Sequence, residues 1–177
     1  MAIRCAPTVE DAFLASGAAL VTLVSRHTGY PDPVAWPGDS LTVRVRERQA
    51  AAVCVWVAID DDTGAVVGHA LVAPANQPYW VNYPQTASLQ QAGRLMELGA
   101  LAVHPDWQRQ GIATMLRAGR VGWLTERALT ACAVAWENGP SDIMCRQDPA
   151  FHRLGRRVAA VAGHPVIDYV RDGSFPV

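Results

Sequence analysis

Apolar residues recur along the chain in two periods, and the switches between them set the predicted elements. Ile3 to Cys5 suits a short strand. After it, Val9, Phe13, Leu20 and Val24 fall on one face at helical spacing, and Thr8 stands three residues before Asp11 as in a capping box. Residues 9–26 therefore read as an amphipathic helix. Three prolines exclude regular structure from residues 27–40. Residues 41–49 fit either element: Leu41, Val43 and Val45 alternate as in a strand, whereas the end of the segment looks helical. "AAVCVWVAI", residues 51–59, is apolar and β-branched, as in a strand buried on both faces. The turn "DDDTG" and the run "AVVGHALVAP" complete a hairpin over 51–73.

Residues 74–93 read as a long loop, and loops of that length in compact domains often carry function. "RLMELGALAV", residues 94–103, reads as a strand with Gly99 inside it, the mark of a bulge or a close backbone approach. Ile112, Met115, Leu116, Gly119 and Trp123 form a helical stripe reaching Arg127. Residues 128–136 then read as a buried strand, and 148–155, "DPAFHRLG", as a short helix between Asp148 and Gly155. "RRVAAVAG" and "PVIDYVR" close the chain as a strand pair. A strand–helix–strand crossover among hairpin-connected strands implies an α/β protein with a mixed sheet and helices on its faces.

Composition narrows the picture. The 177 residues suit one domain, 1–177, and half of them are apolar against 18% charged, the balance of a globular chain. A net charge of −1 gives no electrostatic case for nucleic acid or a membrane surface. All 15 basic residues are arginine, so no catalytic lysine exists. Cys5, Cys54, Cys132 and Cys145 show neither zinc-site spacing nor a disulfide framework, and no metal is expected. The N-terminus lacks the basic start and continuous apolar stretch of a signal peptide, and no run reaches the ~18 apolar residues of a membrane span. A cytoplasmic location is the expectation.

The candidate chemistry centres on "HPDWQRQGIATMLRAGR", residues 104–120. Neither GxxxxGK[ST] nor GxGxxG occurs, which excludes the signatures of P-loop nucleotide hydrolases and dinucleotide-binding folds. What remains is Gln108-x-x-Gly111-x-Ala113 opening a helix. A helix start offers unpaired amides and a positive dipole end. Gly111 and Ala113 carry no bulk to keep a pyrophosphate from those amides.

The run "LMELGALAVHPDWQRQGIATMLRAG" resembles motif A of the GCN5-related N-acetyltransferase (GNAT) superfamily: a strand, Pro105, Gln108, Gly111, Ala113 and a helix in the same order and spacing. The element order is similar from Ile3 to about Val170. The resemblance implies a GNAT fold: a mixed, mostly antiparallel sheet of six to seven strands flanked by helices and splayed at the strand before the pyrophosphate loop. It implies acetyl-CoA or a related acyl-CoA as cosubstrate. The backbone of Leu101, Ala102 and Val103 would pair with the pantetheine arm like an added strand. Gln108, Arg109, Gln110, Gly111, Ile112, Ala113 and Thr114 would form the pyrophosphate loop. Arg109, Arg117 or Arg120 would reach the outer phosphate or lie on a solvated face, and Trp107 would pack or neighbour the adenine.

In this family an amine attacks the thioester directly, and a carboxylate suits the removal of its proton. Glu97 stands eleven residues before Gln108, the spacing of the base glutamate in the histone-acetyltransferase branch. It also interrupts an apolar strand, where a carboxylate is costly unless solvated or partnered. The other reading is a strand glutamate on a solvated face. Glu137, ending the next strand, is a second candidate base or a loop-start carboxylate. The family's "Y-x-x-x-G-F" segment is matched by "FHRLGR", so Phe151 stands where a tyrosine acid is common. His152 is its neighbour and a candidate acid, or a surface histidine. The Asn common before the family's last helix is not evident in "NGPSDIMCRQD". Tyr30 and Trp36 in one loop, and Tyr79, Trp80 and Tyr83 in the other, would wall an acceptor pocket or form a homodimer contact. The expected activity is acetyl transfer to a primary amine of a small molecule or protein. The alternative is a catalytically degenerate acyl-CoA-binding sensor or interaction domain.

Overall fold

The computed structural model describes residues 2–28, 40–159 and 164–171. Seven strands form one sheet in the order β1-β2-β3-β4-β5-β7-β6. They are β1 (Ile3–Thr8), β2 (Cys54–Asp60), β3 (Val66–Pro74), β4 (Leu95–Val103), β5 (Thr130–Trp136), β6 (Phe151–Val158) and β7 (Pro165–Arg171). The helices are α1 (Asp11–Thr28), α2 (Ser40–Ala51), α3 (Pro84–Gln91), α4 (Ile112–Glu126) and α5 (Pro140–Gln147). The β1–β2, β2–β3, β5–β7 and β6–β7 pairs are antiparallel. β4 and β5 are parallel, with α4 as the crossover and a register running from Leu95↔Thr130 to Glu97↔Cys132.

The chain divides into two compact units, residues 1–73 with 99–121 and residues 74–98 with 122–177, so β4 contributes a half to each. In the first, α1 and α2 bury Ala18, Val21, Leu41 and Val45 with Ala102 of β4. There α4 sets Ile112 and Leu116 against Ala58, Val67, Ala70 and Val103. In the second, Trp80 packs with Ala75, Leu95, Cys132 and Val170.

Several expectations change. Residues 41–49 are helical: Leu41, Val45 and Gln49 are buried at intervals of four, and Val43, whose alternation suggested a strand, is 55% exposed. The first helix starts at Asp11, leaving Val9 93% exposed, and Thr8 Oγ1 accepts from the Glu10 amide. The stretch 74–93 is not a plain loop. It holds a 3-10 turn at Pro78–Asn82 and then α3, each opened by a proline in its first turn. The short helix expected over 148–155 lies earlier, as α5, behind the Gly139 cap. Phe151 to Gly155 instead belongs to β6, whose register with β7 shifts between Arg153 and Gly155. Tyr30 and Trp36 lie outside the described residues.

Two glycines of α4 test the packing. A Cβ on Gly119 would stand 2.5 to 3.0 Å from the rigid Trp56 ring, whereas one on Gly122 would meet nothing within 4 Å. Overpacking costs about 1–3 kcal/mol and a helical Gly→Ala change gains about 0.5–1 kcal/mol. Gly119→Ala is therefore expected to lower stability by about 1 kcal/mol, and Gly122→Ala to raise it by about 0.5–1 kcal/mol, in urea unfolding.

Candidate functional site

In the first unit, β4 runs into Pro105–Trp107, a 3-10 turn, and then a loop that opens α4. The Gln108 side chain donates to the Val103 carbonyl at 3.1 Å, tying this loop to the strand end. Arg109 and Gly111 both adopt left-handed backbone, φ 65° and 79°. Alternation of hand turns successive amides toward a common side, the geometry of an anion nest. The α-helical ladder begins at the bond from Met115 N–H to the Gly111 carbonyl. The amides of Ile112, Ala113 and Thr114 therefore lie in the first turn, where a helix makes no internal bond to them. That turn carries no acidic residue, and a Cβ on Gly111 would meet nothing within 4 Å. The cradle thus fits a diphosphate by charge, by donor set and by room. Arg109 is exposed and Arg117 half-buried. Arg120, offered above for the outer phosphate, is instead 2% exposed, and its guanidinium donates to the Leu116, Leu71 and Gly99 carbonyls.

Arg120 belongs to a buried polar group around Gly99 and Ala100. Ala100 has φ 49°, left-handed for a residue with a Cβ and placed within a strand. Its carbonyl lies 3.0 Å from His69 Nδ1. A carbonyl only accepts, so Nδ1 carries the hydrogen. Nε2 then accepts, 3.0 Å from Gln49 Nε2. The same Gln49 amide nitrogen donates to the Leu14 carbonyl at 2.8 Å, and Gln49 Oε1 accepts from Arg46 at 3.1 Å. Burial lowers the His69 pKa to about 4, with the nearby Arg120 and Arg48 charges acting the same way against the Ala100 bond. The imidazole is therefore neutral at neutral pH.

The second unit carries the catalytic candidates. Glu97 is half-buried in β4, opposite Cys132 in the parallel register. Burial, and next the charge of Glu97, push the Tyr79 hydroxyl well above its ordinary pKa. Burial and then the charges of Glu97 and Asp168 do the same to the Cys132 thiol. The Tyr79 ring lies under the Arg157 guanidinium at 3.6 Å. Arg157 Nε and the Tyr83 hydroxyl each donate to Asp168 Oδ2 at 2.8 Å. Burial and that bond push Tyr83 up to about 12. Both tyrosines stay protonated at neutral pH beside two carboxylates. Gly155 makes room for Tyr83: a Cβ there would stand 2.7 Å from its hydroxyl.

Glu137 is half-buried, and both its oxygens accept from Arg156 Nε at 3.0 Å. Phe151 is a buried core residue opening β6, and His152, the next residue of that strand, is exposed. Trp80 is fully buried and so belongs to the core, whereas Tyr79 and Tyr83 are half-buried. His69, Asp168 and Arg157 were not anticipated. The signal for two of them was present: His69 interrupts "VVGHALVA" and Asp168 interrupts "PVIDYV", as Glu97 interrupts its own strand. Among the described residues no group of three or more metal-ligating side chains forms, and no helix is long and apolar enough to cross a membrane.

The family model for the acetyltransferase (GNAT) family matches residues 21–142. No curated protein sequence matches this chain. Among solved structures, a protein assigned to the GNAT acetyltransferases of Desulfovibrio desulfuricans is 20% identical, over 98% of this chain and all of that one, with a TM-score of 0.68. The phosphinothricin acetyltransferase of Sinorhizobium meliloti, solved in complex with acetyl-CoA, is 18% identical over 97% of this chain and 88% of its own, with a TM-score of 0.64. The ribosomal-protein-S18-alanine N-acetyltransferase of Escherichia coli is 13% identical over 99% and 97%, with a TM-score of 0.66. At these identities the likeness is one of fold.

Burial of a neutral histidine has a measurable cost. The folded pKa of His69, about 4, lies below the unfolded 6.5, so between these values the unfolded chain binds the proton first. Its contribution is full above pH 6.5 and is lost as pH falls to about 4, a total of roughly 3 kcal/mol. Urea unfolding at pH 7 and pH 4.5 is expected to show this loss in the wild type and a smaller one in His69→Asn, whose side chain does not titrate.

Proposed function

Because the chain belongs to the acetyltransferase (GNAT) family, we propose that it transfers the acetyl group of acetyl-CoA to a primary amine by direct attack, with Glu97 as general base. The observation that carries the donor half is the loop from Gln108 to Thr114. Its Gly111 leaves open space, its helix-start amides have no internal partner in the ladder, and its first turn has no acid. The acetyl-CoA complex of the similar phosphinothricin acetyltransferase supports the choice of donor.

Acetyl-CoA supplies the activated acyl group as a thioester. The amides of the α4 start hold its pyrophosphate, and the Leu101, Ala102 and Val103 backbone takes the pantetheine arm as an added strand. Glu97 accepts the proton that the amine loses as its nitrogen bonds to the acyl carbon and the carbon–sulfur bond breaks, the electron pair leaving on sulfur as the coenzyme A thiolate. Its place in β4, opposite Cys132 and close enough for its charge to act on the Tyr79 hydroxyl, supports that role. Glu137 is a weaker candidate, because Arg156 already holds it. Phe151 supplies no proton, so the coenzyme A thiolate leaves without an acid at that position. Tyr79 and Tyr83 wall the acceptor side around Glu97.

Coenzyme A is expected to stabilise the fold by about 2.7 kcal/mol at a hundredfold excess over its Kd, read from thermal unfolding; no shift at millimolar CoA would overturn the donor assignment. Thiol release from acetyl-CoA across a panel of primary amines is expected to find at least one acceptor. CoA binding with no turnover over a broad panel would favour a sensor instead. Glu97→Gln is expected to lower turnover about 100-fold or more near pH 7 with CoA affinity retained, and unchanged turnover would remove Glu97 as the base.

A further inference from the structure

We propose that the relay Arg46–Gln49–His69, buried at Gln49 and His69, holds Ala100 in its left-handed conformation, and so sets the course of the following residues Leu101–Val103, making His69 a positioning residue for the cofactor arm. The consequence for the cofactor rests on the acyl-CoA reading above; the relay's hold on the backbone does not.

A left-handed backbone costs a non-glycine residue free energy and persists only where its surroundings over-determine it. Ala100 packs on the apolar cluster of α1 and α2, while its carbonyl is held by a polar, directional group. The imidazole has one orientation, because Nδ1–H must donate to the Ala100 carbonyl and Nε2 must accept from Gln49. Gln49 is held in turn: its amide nitrogen also donates to Leu14, and its oxygen accepts from Arg46, which pairs with Asp11. A flip of the Gln49 amide would break these bonds together. On the preceding residue, Arg120 donates to the Gly99 carbonyl at 3.4 Å, and a Cβ on Gly99 would collide with Arg48 Nη2 at 2.5 Å. A buried histidine, fully desolvated, is an expensive way to fill a core. A single carbonyl fixed at a strained residue is what this one does.

The test uses His69→Leu, His69→Asn and the double variant His69→Leu/Ala100→Gly, with coenzyme A as probe. An asparagine amide can donate from nearly the position of Nδ1; leucine cannot. Calorimetry is expected to show His69→Leu binding CoA about tenfold more weakly, the scale set by the penalty of the left-handed residue. His69→Asn should retain most of the affinity. Ala100→Gly removes the penalty itself and should restore affinity in the His69→Leu background, more than it changes the wild type. Amide hydrogen exchange at residues 99–103 should quicken in His69→Leu and recover in the double variant. Undiminished affinity and exchange in His69→Leu, or losses that Ala100→Gly fails to repair, would overturn the proposal. If wild type itself binds no CoA, the acyl-CoA reading falls, and the exchange data alone still decide whether the relay sets this backbone. Should His69→Leu not fold, Gln49→Leu is read the same way: quickened exchange at 99–103 supports the relay and unchanged exchange refutes it.

Discussion

A peptide group taken out of water has to find a partner, and within a strand the neighbouring strands usually provide it. At Gly99 and Ala100 side chains also answer that demand. Arg120 reaches one carbonyl and His69 the other. A connected set of the first unit's polar residues follows from this demand. His69 needs Gln49 to complete its ring, Gln49 needs Leu14 and Arg46, and Arg48 needs the space that glycine leaves at 99. Mostly apolar packing carries these groups into place: α1 and α2 bury Ala18, Val21, Leu41 and Val45 against Ala102.

The two sets of candidate residues obey opposite electrostatic rules. The loop before α4 concentrates amides and excludes acids, so it favours anions without any buried charge of its own. The cluster in the second unit concentrates carboxylates, and it keeps its hydroxyls and thiol protonated by burial and by those charges. Arg157 offsets part of that negative charge, donating to Asp168 while its plane covers Tyr79. Asp168 Oδ1 remains buried without a hydrogen-bond partner. Burial together with these two carboxylates resists ionisation of the Tyr79 and Tyr83 hydroxyls.

What could be read in the sequence was whatever depends on short-range pattern. The hairpin, the strand Leu95–Val103 and the stripe Ile112–Trp123 all emerge from apolar spacing, and the loop between the last two stands out because glycine and proline mark it. Residues 41–49 resisted because Leu41 and Val45 satisfy both periods, and the burial of Gln49 and exposure of Val43 decide between them. The 74–93 stretch resisted because Pro78 and Pro84 look like breakers yet stand where prolines open helical turns. Residues 151–155 look helical in the sequence because Asp148 and Gly155 resemble caps, while the cross-strand partners in β7 that make them a strand lie outside that local window. The relay through His69 joins residues from 11 to 100, a juxtaposition that no local window contains. A histidine or aspartate in the middle of an apolar strand was nonetheless a visible anomaly, and Glu97, noticed for that reason, was one of three.

Arg120 has a chemical consequence beyond its hydrogen bonds. A primary amine buried at that position would shed its proton to escape desolvation and become a nucleophile, and a protein that handles an activated acyl group would then contain its own competing acceptor. A guanidinium keeps its charge when buried and does not compete. With arginine at all 15 basic positions, no side chain of this protein offers an amine for acylation. Its interior cations are inert toward the very reactivity it is built to direct elsewhere.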